Sequence, residues 1–170
     1  MRLCRLELAI IAAAAAGLGF AAPASAASVN AQAKAKVVKP IALSAVQDLD
    51  LGTVVLSPVT WSGAVVALSR GGALSCPANV TCSGATQVAQ YNITGSNNQV
   101  IIINAPNVTM TNLSDSTKVL TLVVDGPGTI TLPNSGNAGI NFPLGGSITL
   151  DSATAEGTYV GTFQVTAEYQ

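Results

Sequence analysis

The sequence contains no histidine and only a small share of charged and aromatic residues. Charged side chains make up 9% of its 170 residues, with 7 Lys and Arg against 8 Asp and Glu, whereas soluble domains usually have about 25%. This balance offers no basic surface for nucleic acid. The lack of histidine removes the most common general base and metal ligand. We therefore predict no catalytic residues, no cofactor and no metal site, and we expect that the protein is not an enzyme.

The amino end has the pattern of a secretory signal peptide. Arg2 and Arg5 precede an apolar run over residues 8–22, and the small residues ASA follow at 24–26. This pattern predicts cleavage after residue 26, which leaves 27–170 as a single domain. The apolar run is shorter than the roughly 20 residues that span a bilayer, so we expect no stable membrane insertion after cleavage. We expect export to the periplasm and then to the cell surface or the extracellular space.

Few cysteines are present, and cleavage would remove Cys4 and leave Cys76 and Cys82. In an exported protein such an even pair predicts a disulfide. The loop that it closes is short, so chain entropy predicts a stabilisation of roughly 2 to 2.5 kcal/mol. Two cysteines alone lack the full ligand set that zinc prefers, and their spacing differs from the Cys-x-x-Cys of redox pairs.

The rest of the chain alternates apolar and polar residues in short runs rich in Val, Ile and Thr, and no stretch after residue 30 has a helical stripe. Gly, Pro and Asn separate the runs at positions where the chain must turn. Short, regularly spaced strands favour an antiparallel sandwich or barrel. We predict an all-β domain with strands near residues 33–43, 49–56, 63–68, 86–93, 99–103, 119–124, 129–132, 147–151 and 159–169.

The alternation is clearest in the last segment, residues 157–170. Its apolar face consists of Tyr159, Phe163, Val165, Ala167 and Tyr169, and its polar face of Thr162, Gln164, Thr166 and Glu168. The alternation alone is explained by a final strand whose apolar side faces the core.

This segment resembles the terminal motif of chaperone–usher pilus subunits, in which a glycine precedes alternating apolar residues and a penultimate tyrosine. Gly157 and Tyr169 hold those two positions. The segments VVKPIAL (37–43), QDLDLG (47–52) and AQYNITG (89–95) add a second resemblance. They are similar to a bacterial domain-of-unknown-function family of small secreted, pilin-like proteins and, more distantly, to spore coat protein U domains.

The resemblance implies an immunoglobulin-like antiparallel β-sandwich that lacks one strand. A periplasmic chaperone would occupy the resulting groove first, with an outer-membrane usher as a second partner, and a neighbouring subunit would then donate a strand to the same groove. Carried over to this sequence, the groove is lined by Gly157, Tyr159, Phe163, Val165, Ala167 and Tyr169.

The candidate donor strand lies in a short extension over about residues 27–37. Its apolar face consists of Val29, Ala31, Ala33, Ala35 and Val37. Alanine is smaller than the bulky residues usual in pilin donors, and each missing CH₂ group weakens binding by about 0.8 kcal/mol. The extension is either a weak donor or the early start of the first strand of a self-contained sandwich.

We expect a structural subunit of a fimbria-like surface assembly that associates with itself or with related fimbrial subunits. The alternative is a monomeric secreted binding module, for carbohydrate or adhesion, that uses loops around Trp61 and the bulge between Cys76 and Cys82. A lone tryptophan is more often part of a core than a binding platform.

Overall fold

The computed structural model describes residues 26–134 and 138–170. Residues 1–25 of the predicted signal peptide lie outside this part of the chain. Every strand pair in it is antiparallel, which confirms the predicted all-β class and agrees with a β-sandwich. The strands are β1 (Ala42–Gln47), β2 (Thr53–Leu56), β3 (Ala64–Leu68), β4 (Leu74–Ser75), β5 (Val80–Ser83), β6 (Ala89–Thr94), β7 (Val100–Asn104), β8 (Val108–Asn112), β9 (Val119–Asp125), β10 (Thr129–Thr131), β11 (Ile140–Leu150), β12 (Tyr159–Val160) and β13 (Thr166–Tyr169).

The larger sheet is built around β11, which has 11 residues. The sheet order is β1-β6-β11-β9-β8-β12, and β3 pairs with both β11 and β4. The first half of β11 pairs with β6, and its second half lies between β3 and β9. Phe142, Leu144, Ile148 and Leu150 of β11 are buried at alternate positions, as expected for a strand with one face on the core.

The smaller sheet has the order β10-β7-β13, and β2 and β5 form a separate two-stranded sheet. The chain passes from the smaller to the larger sheet between β7 and β8. The carboxyl-terminal segment follows the same path in reverse, because β12 pairs with β8 and β13 pairs with β7. The last segment of the chain therefore crosses from one sheet to the other.

The buried side chains form two clusters. The first consists of Ala89, Ile93, Ile101, Ile103, Leu132, Phe142 and Leu144, and it packs β6 and β11 of the larger sheet against β7 of the smaller one. The second consists of Ala64, Val66, Val80, Leu122, Ile148 and Leu150. Leu49, Val124 and Phe163 pack against both clusters. The two clusters thus form a continuous core, in which each large aliphatic side chain contributes about 1.5–3 kcal/mol when fully buried.

The predicted strand over residues 33–43 is wrong. Residues 26–41 belong to no strand, and β1 begins at Ala42. No strand in the described ranges pairs with this stretch, and Pro40 cannot donate a ladder hydrogen bond. Alternation alone therefore does not make a strand, because a strand also needs a neighbour.

Other strands differ from the prediction in length. The predicted strand 49–56 is reduced to β2, because the chain turns where the Asp50 carboxylate accepts a hydrogen bond from the Gly52 amide at 2.8 Å. Conversely, β11 starts well before the predicted residue 147. Pro143 lies in the half of β11 that pairs only with β6, so its missing N–H does not interrupt a second ladder. The strands β4, β5 and β8 were not predicted.

The predicted disulfide between Cys76 and Cys82 is confirmed, with a sulfur–sulfur distance of 2.04 Å. Cys76 directly follows β4 and Cys82 lies in β5. The bond closes the turn between these two strands, so it stabilises a local bulge rather than the contact between the sheets.

Candidate functional site

The carboxyl-terminal segment is not the single strand over residues 159–169 that the sequence predicted. It supplies β12 and β13, and residues 161–165 between them belong to no strand. β12 ends the larger sheet beside β8, and β13 ends the smaller sheet beside β7. Their pairing runs from Tyr159 opposite Asn112 to Tyr169 opposite Ile101. The outer edges of β12 and β13 therefore have no partner strand among the described residues.

Backbone hydrogen-bonding groups face this edge. The Gln170 amide donates to the Val100 carbonyl at 3.0 Å, and the Leu113 amide donates to the Thr158 carbonyl at 2.9 Å. Successive residues of an antiparallel strand direct their backbone groups to opposite sides. The amide and carbonyl groups of Tyr159, Ala167 and Tyr169 therefore point away from β7 and β8. The edge presents the donors and acceptors that another strand needs.

The inward side chains of the carboxyl-terminal segment remain only half-buried. Phe163, Val165, Ala167 and Tyr169 pack against the first cluster, and Phe163 also contacts the second. The outward residues between them, including Gln164 and Glu168, are exposed. Side chains that face the interior of a complete sandwich are usually buried. Apolar surface is thus accessible directly beside the unpaired edge.

Tyr159 and Gly157 lie at the other end of the predicted groove. Tyr159 is half-buried and belongs to neither cluster, and its hydroxyl donates to the Ala155 carbonyl at 2.8 Å. The structure therefore brings four of the predicted groove residues together, namely Phe163, Val165, Ala167 and Tyr169. It places the other two where the strand begins.

Gly157 leaves room for a buried asparagine. A Cβ atom at Gly157 would overlap the side chain of Asn112, and Gly157 has φ +137°. Asn112 is 2% exposed; its amide donates to the Glu156 carbonyl at 2.8 Å and its oxygen accepts from the Ser114 amide at 2.8 Å. The glycine therefore allows Asn112 to hold the start of the last strand. Nothing in the sequence distinguished Asn112 from the other asparagines.

The penultimate tyrosine joins three distant parts of the chain. The Tyr169 hydroxyl donates to the Lys39 carbonyl at 2.6 Å and accepts from the Ser96 amide at 2.8 Å. The Lys39 amide in turn donates to the Ser96 hydroxyl at 2.6 Å. This three-residue network fixes the end of β13 to the stretch that precedes β1.

We expect Tyr169→Phe to lower the free energy of unfolding by about 1–2 kcal/mol, because it removes two hydrogen bonds and leaves the Ser96 amide without its partner. Urea unfolding followed by circular dichroism measures this loss. Tyr159→Phe is the matched control, since it removes a single hydrogen bond to Ala155 and should have a smaller effect. An unfolding midpoint for Tyr169→Phe equal to that of the original protein would contradict the role of the network.

The candidate donor residues lie on both sides of a boundary between two compact units. Of the described residues, those up to Ala35 belong to one unit and 36–170 to the other, so Val37 belongs with the sheets. Val29, Ala31, Ala33, Ala35 and Val37 are all exposed and belong to no strand, and the exposed fractions of Val29 and Val37 are each 92%. These apolar side chains therefore have no cover in the described structure.

Trp61 packs against the second cluster and is half-buried. Its indole N–H donates to the Ser57 carbonyl at 3.2 Å. The ring is therefore part of the packing beneath a loop, which does not favour its use as an open platform for a sugar.

Two titratable groups in the described ranges have shifted pKa values. Hydrogen bonds from the Thr117 hydroxyl and amide lower the pKa of Asp115 below its usual value, and Lys118 adds to the effect. Burial raises the pKa of Tyr91, and the charge of Asp48 adds to it. Neither group lies on the last strand. The chemistry available at the edge is backbone hydrogen bonding and apolar contact.

The described residues include no group of three or more His, Cys, Asp and Glu side chains that could hold a metal ion. In the same part of the chain, no helix is long and apolar enough to cross a membrane.

A family model for a domain of unknown function (DUF4402) matches residues 41–169. The chain belongs to this family. Comparisons with curated proteins and with solved structures gave no match. The DUF4402 region includes all the strands described above and ends with β13, whereas the candidate donor residues precede it. The predicted membership of a domain-of-unknown-function family is confirmed; the likeness to pilus subunits and to spore coat protein U domains stays a prediction.

Proposed function

We propose that this protein is a structural subunit of a fimbria-like surface assembly, in which subunits join by β-strand addition. The observation that carries the proposal is the unpaired edge of the last strand, where the backbone groups of Ala167 and Tyr169 face outward beside half-buried apolar side chains. An added strand would pair with these groups and place alternate side chains onto the exposed apolar surface. The domain is then an immunoglobulin-like sandwich that another chain completes.

We infer that the edge needs a cover, because unpaired backbone groups beside accessible apolar side chains can pair with other chains. Glu168 is the only charged residue in β12 and β13, and its side chain points away from the core. Little on this strand therefore opposes pairing with another chain. A periplasmic chaperone would cover the edge after export. An outer-membrane usher would then replace the chaperone with the next subunit.

The extension of a second subunit is the proposed donor. It would present Val29, Ala31, Ala33, Ala35 and Val37 to the groove, which are already exposed and unpaired. Phe163, Val165 and Tyr169 pack against the first cluster beside the edge, and the small alanine side chains of the donor would add only a little apolar contact with them. The affinity of such a donor would come mainly from the backbone ladder.

Assembly can be tested with two matched substitutions in the donor. Ala33→Asp places a charge on the apolar face and should abolish the ladder of subunits on unboiled denaturing gels of surface extracts. Gln32→Asp adds the same charge on the polar face and should preserve the ladder. Deletion of residues 27–36 should abolish the ladder while leaving export intact.

The result that would overturn the proposal is a full-length mature protein that remains a stable monomer without any chaperone and forms no ladder. That result would favour a self-contained secreted binding module. An intact ladder in the deletion variant would instead show that the donor lies elsewhere.

A further inference from the structure

The extension and the rest of the chain carry charges of opposite sign. Lys34 and Lys36 are the only charged side chains in residues 27–37, whereas residues 38–170 carry three cations against seven acids. Both lysines are exposed. They lie two positions apart, so in an extended strand both project from the polar face, away from the side of Ala33 and Ala35. The proposed donor is therefore a cationic strand on its outer face.

Glu168 carries the opposite charge on the edge that would accept the donor. Its side chain is exposed, and it lies in β13 opposite Ile102 of β7. Ile102 in turn lies opposite Thr129 of β10. Neither β7 nor β10 contains a charged residue. The carboxylate of Glu168 is therefore the one charge on the strands of the smaller sheet, and it lies on the strand with the unpaired edge.

No cation of the same subunit pairs with Glu168. The only ion pair among the described residues joins Arg70 and Asp125 at 3.3 Å. Lys39 approaches the end of β13 through its backbone carbonyl, but its side chain forms no ion pair with Glu168. The remaining cation, Lys118, directly precedes β9 of the larger sheet. Glu168 therefore has no charged partner in the described part of its own chain.

The apolar face of the donor does little to define how far the donor strand slides along the edge. Its three central residues, Ala31, Ala33 and Ala35, are identical. A shift of two positions keeps the same face inward and replaces most alanines by alanines, and the backbone ladder forms equally well after it. Register is weakly specified in a strand of this kind. A charge pair on the outer face distinguishes these registers, because only some of them bring the two charges together.

We propose that Glu168 selects the register of the donor strand by pairing with Lys34 or Lys36 of the neighbouring subunit, an inference that rests on the proposed strand addition. Outward residues on adjacent strands lie within about 8 Å of each other when they are directly opposite or diagonal. Registers that place either lysine at such a position gain an ion pair. Registers that place Ser28 or Asn30 opposite Glu168 gain none. The same charges attract the extension to the edge before the ladder forms.

Exchange of the charges tests this pairing in the full chain. Lys34→Glu combined with Lys36→Glu should reduce the ladder of subunits on unboiled denaturing gels about tenfold, because attraction to Glu168 becomes repulsion. Adding Glu168→Lys should restore the ladder to within about twofold of the original protein. The matched control adds Glu156→Lys instead. Glu156 is also exposed but precedes β12, so this control makes the same change of charge away from β13 and should restore nothing.

The outcomes separate the pairing from strand addition itself. A full ladder from the double lysine variant, or equal restoration by Glu168→Lys and Glu156→Lys, would overturn the pairing and leave strand addition standing. A double variant that Glu168→Lys does not restore would have the same meaning. Absence of a ladder from the original protein would overturn both. Gln32→Asp keeps both lysines, so its intact ladder would show that a negative charge on the polar face is not itself the cause of the loss.

Discussion

Replacing Gly157 with alanine should lower the free energy of unfolding by about 3–5 kcal/mol. The residue has φ +137°, a conformation that costs a side-chain-bearing residue about 1–3 kcal/mol. The new methyl group would also collide with Asn112, which is 2% exposed and fully hydrogen-bonded. Displacing the Asn112 side chain would leave buried polar groups unpaired, and each such group lowers the stability by about 1–3 kcal/mol. Such a loss is a large part of the 5–15 kcal/mol typical of a domain.

Gly128→Ala shows what a positive φ costs where the new methyl group meets no neighbour. Gly128 also has a positive φ, +69°, but a Cβ atom there would meet no atom within 4 Å. We therefore expect a loss of only about 1 kcal/mol from backbone strain. Urea unfolding curves of the two variants measure how much more Gly157→Ala costs, a difference that combines the collision with Asn112 and any larger backbone strain at φ +137°. Equal losses would mean that the contact between Gly157 and Asn112 contributes nothing.

Replacing Ala167 with proline should block assembly without unfolding the domain. The Ala167 amide faces the unpaired edge rather than β7, as the hydrogen bond from Gln170 to Val100 indicates. Proline on an edge strand is tolerated where its missing N–H faces outward. An incoming donor strand would lose one ladder hydrogen bond and meet the proline ring. We expect at least a tenfold decrease in the ladder of subunits, with the unfolding midpoint changed only slightly.

Two further variants distinguish the edge from the fold. Ala167→Ser keeps the amide and should assemble like the original protein. Glu168→Pro removes an amide that points toward β7, so it should destabilise the domain itself, by about 1–3 kcal/mol for the ladder acceptor left unpaired. A normal ladder from Ala167→Pro would rule out strand addition at this position. Loss of folding in Ala167→Pro would mean that its amide has a partner within the domain.

Local pattern was sufficient for much of the architecture. The alternation of Val, Ile and Thr predicted strands that the structure contains as β3, β7 and β9. The alternation did not predict the structure where pairing with a neighbouring strand decides whether a segment becomes a strand. Residues 28–37 alternate cleanly and form no strand, while Pro143 lies inside the longest one. Whether a segment becomes a strand depends on the partner beside it, and the partner is distant in the sequence.

The alternation of apolar and polar residues and the two neighbouring cysteines were sufficient from the sequence alone, because they depend only on which residues are present and in what order. They determined a strand-rich protein with one disulfide, and the family follows from the same string of residues. The tertiary structure decided which edge stays unpaired, why position 157 must be glycine, and what the Tyr169 hydroxyl binds. Those features join residues as far apart as Lys39 and Tyr169, 130 positions along the chain. Only the pairing of the sheets brings such residues together, so no local pattern could reveal them.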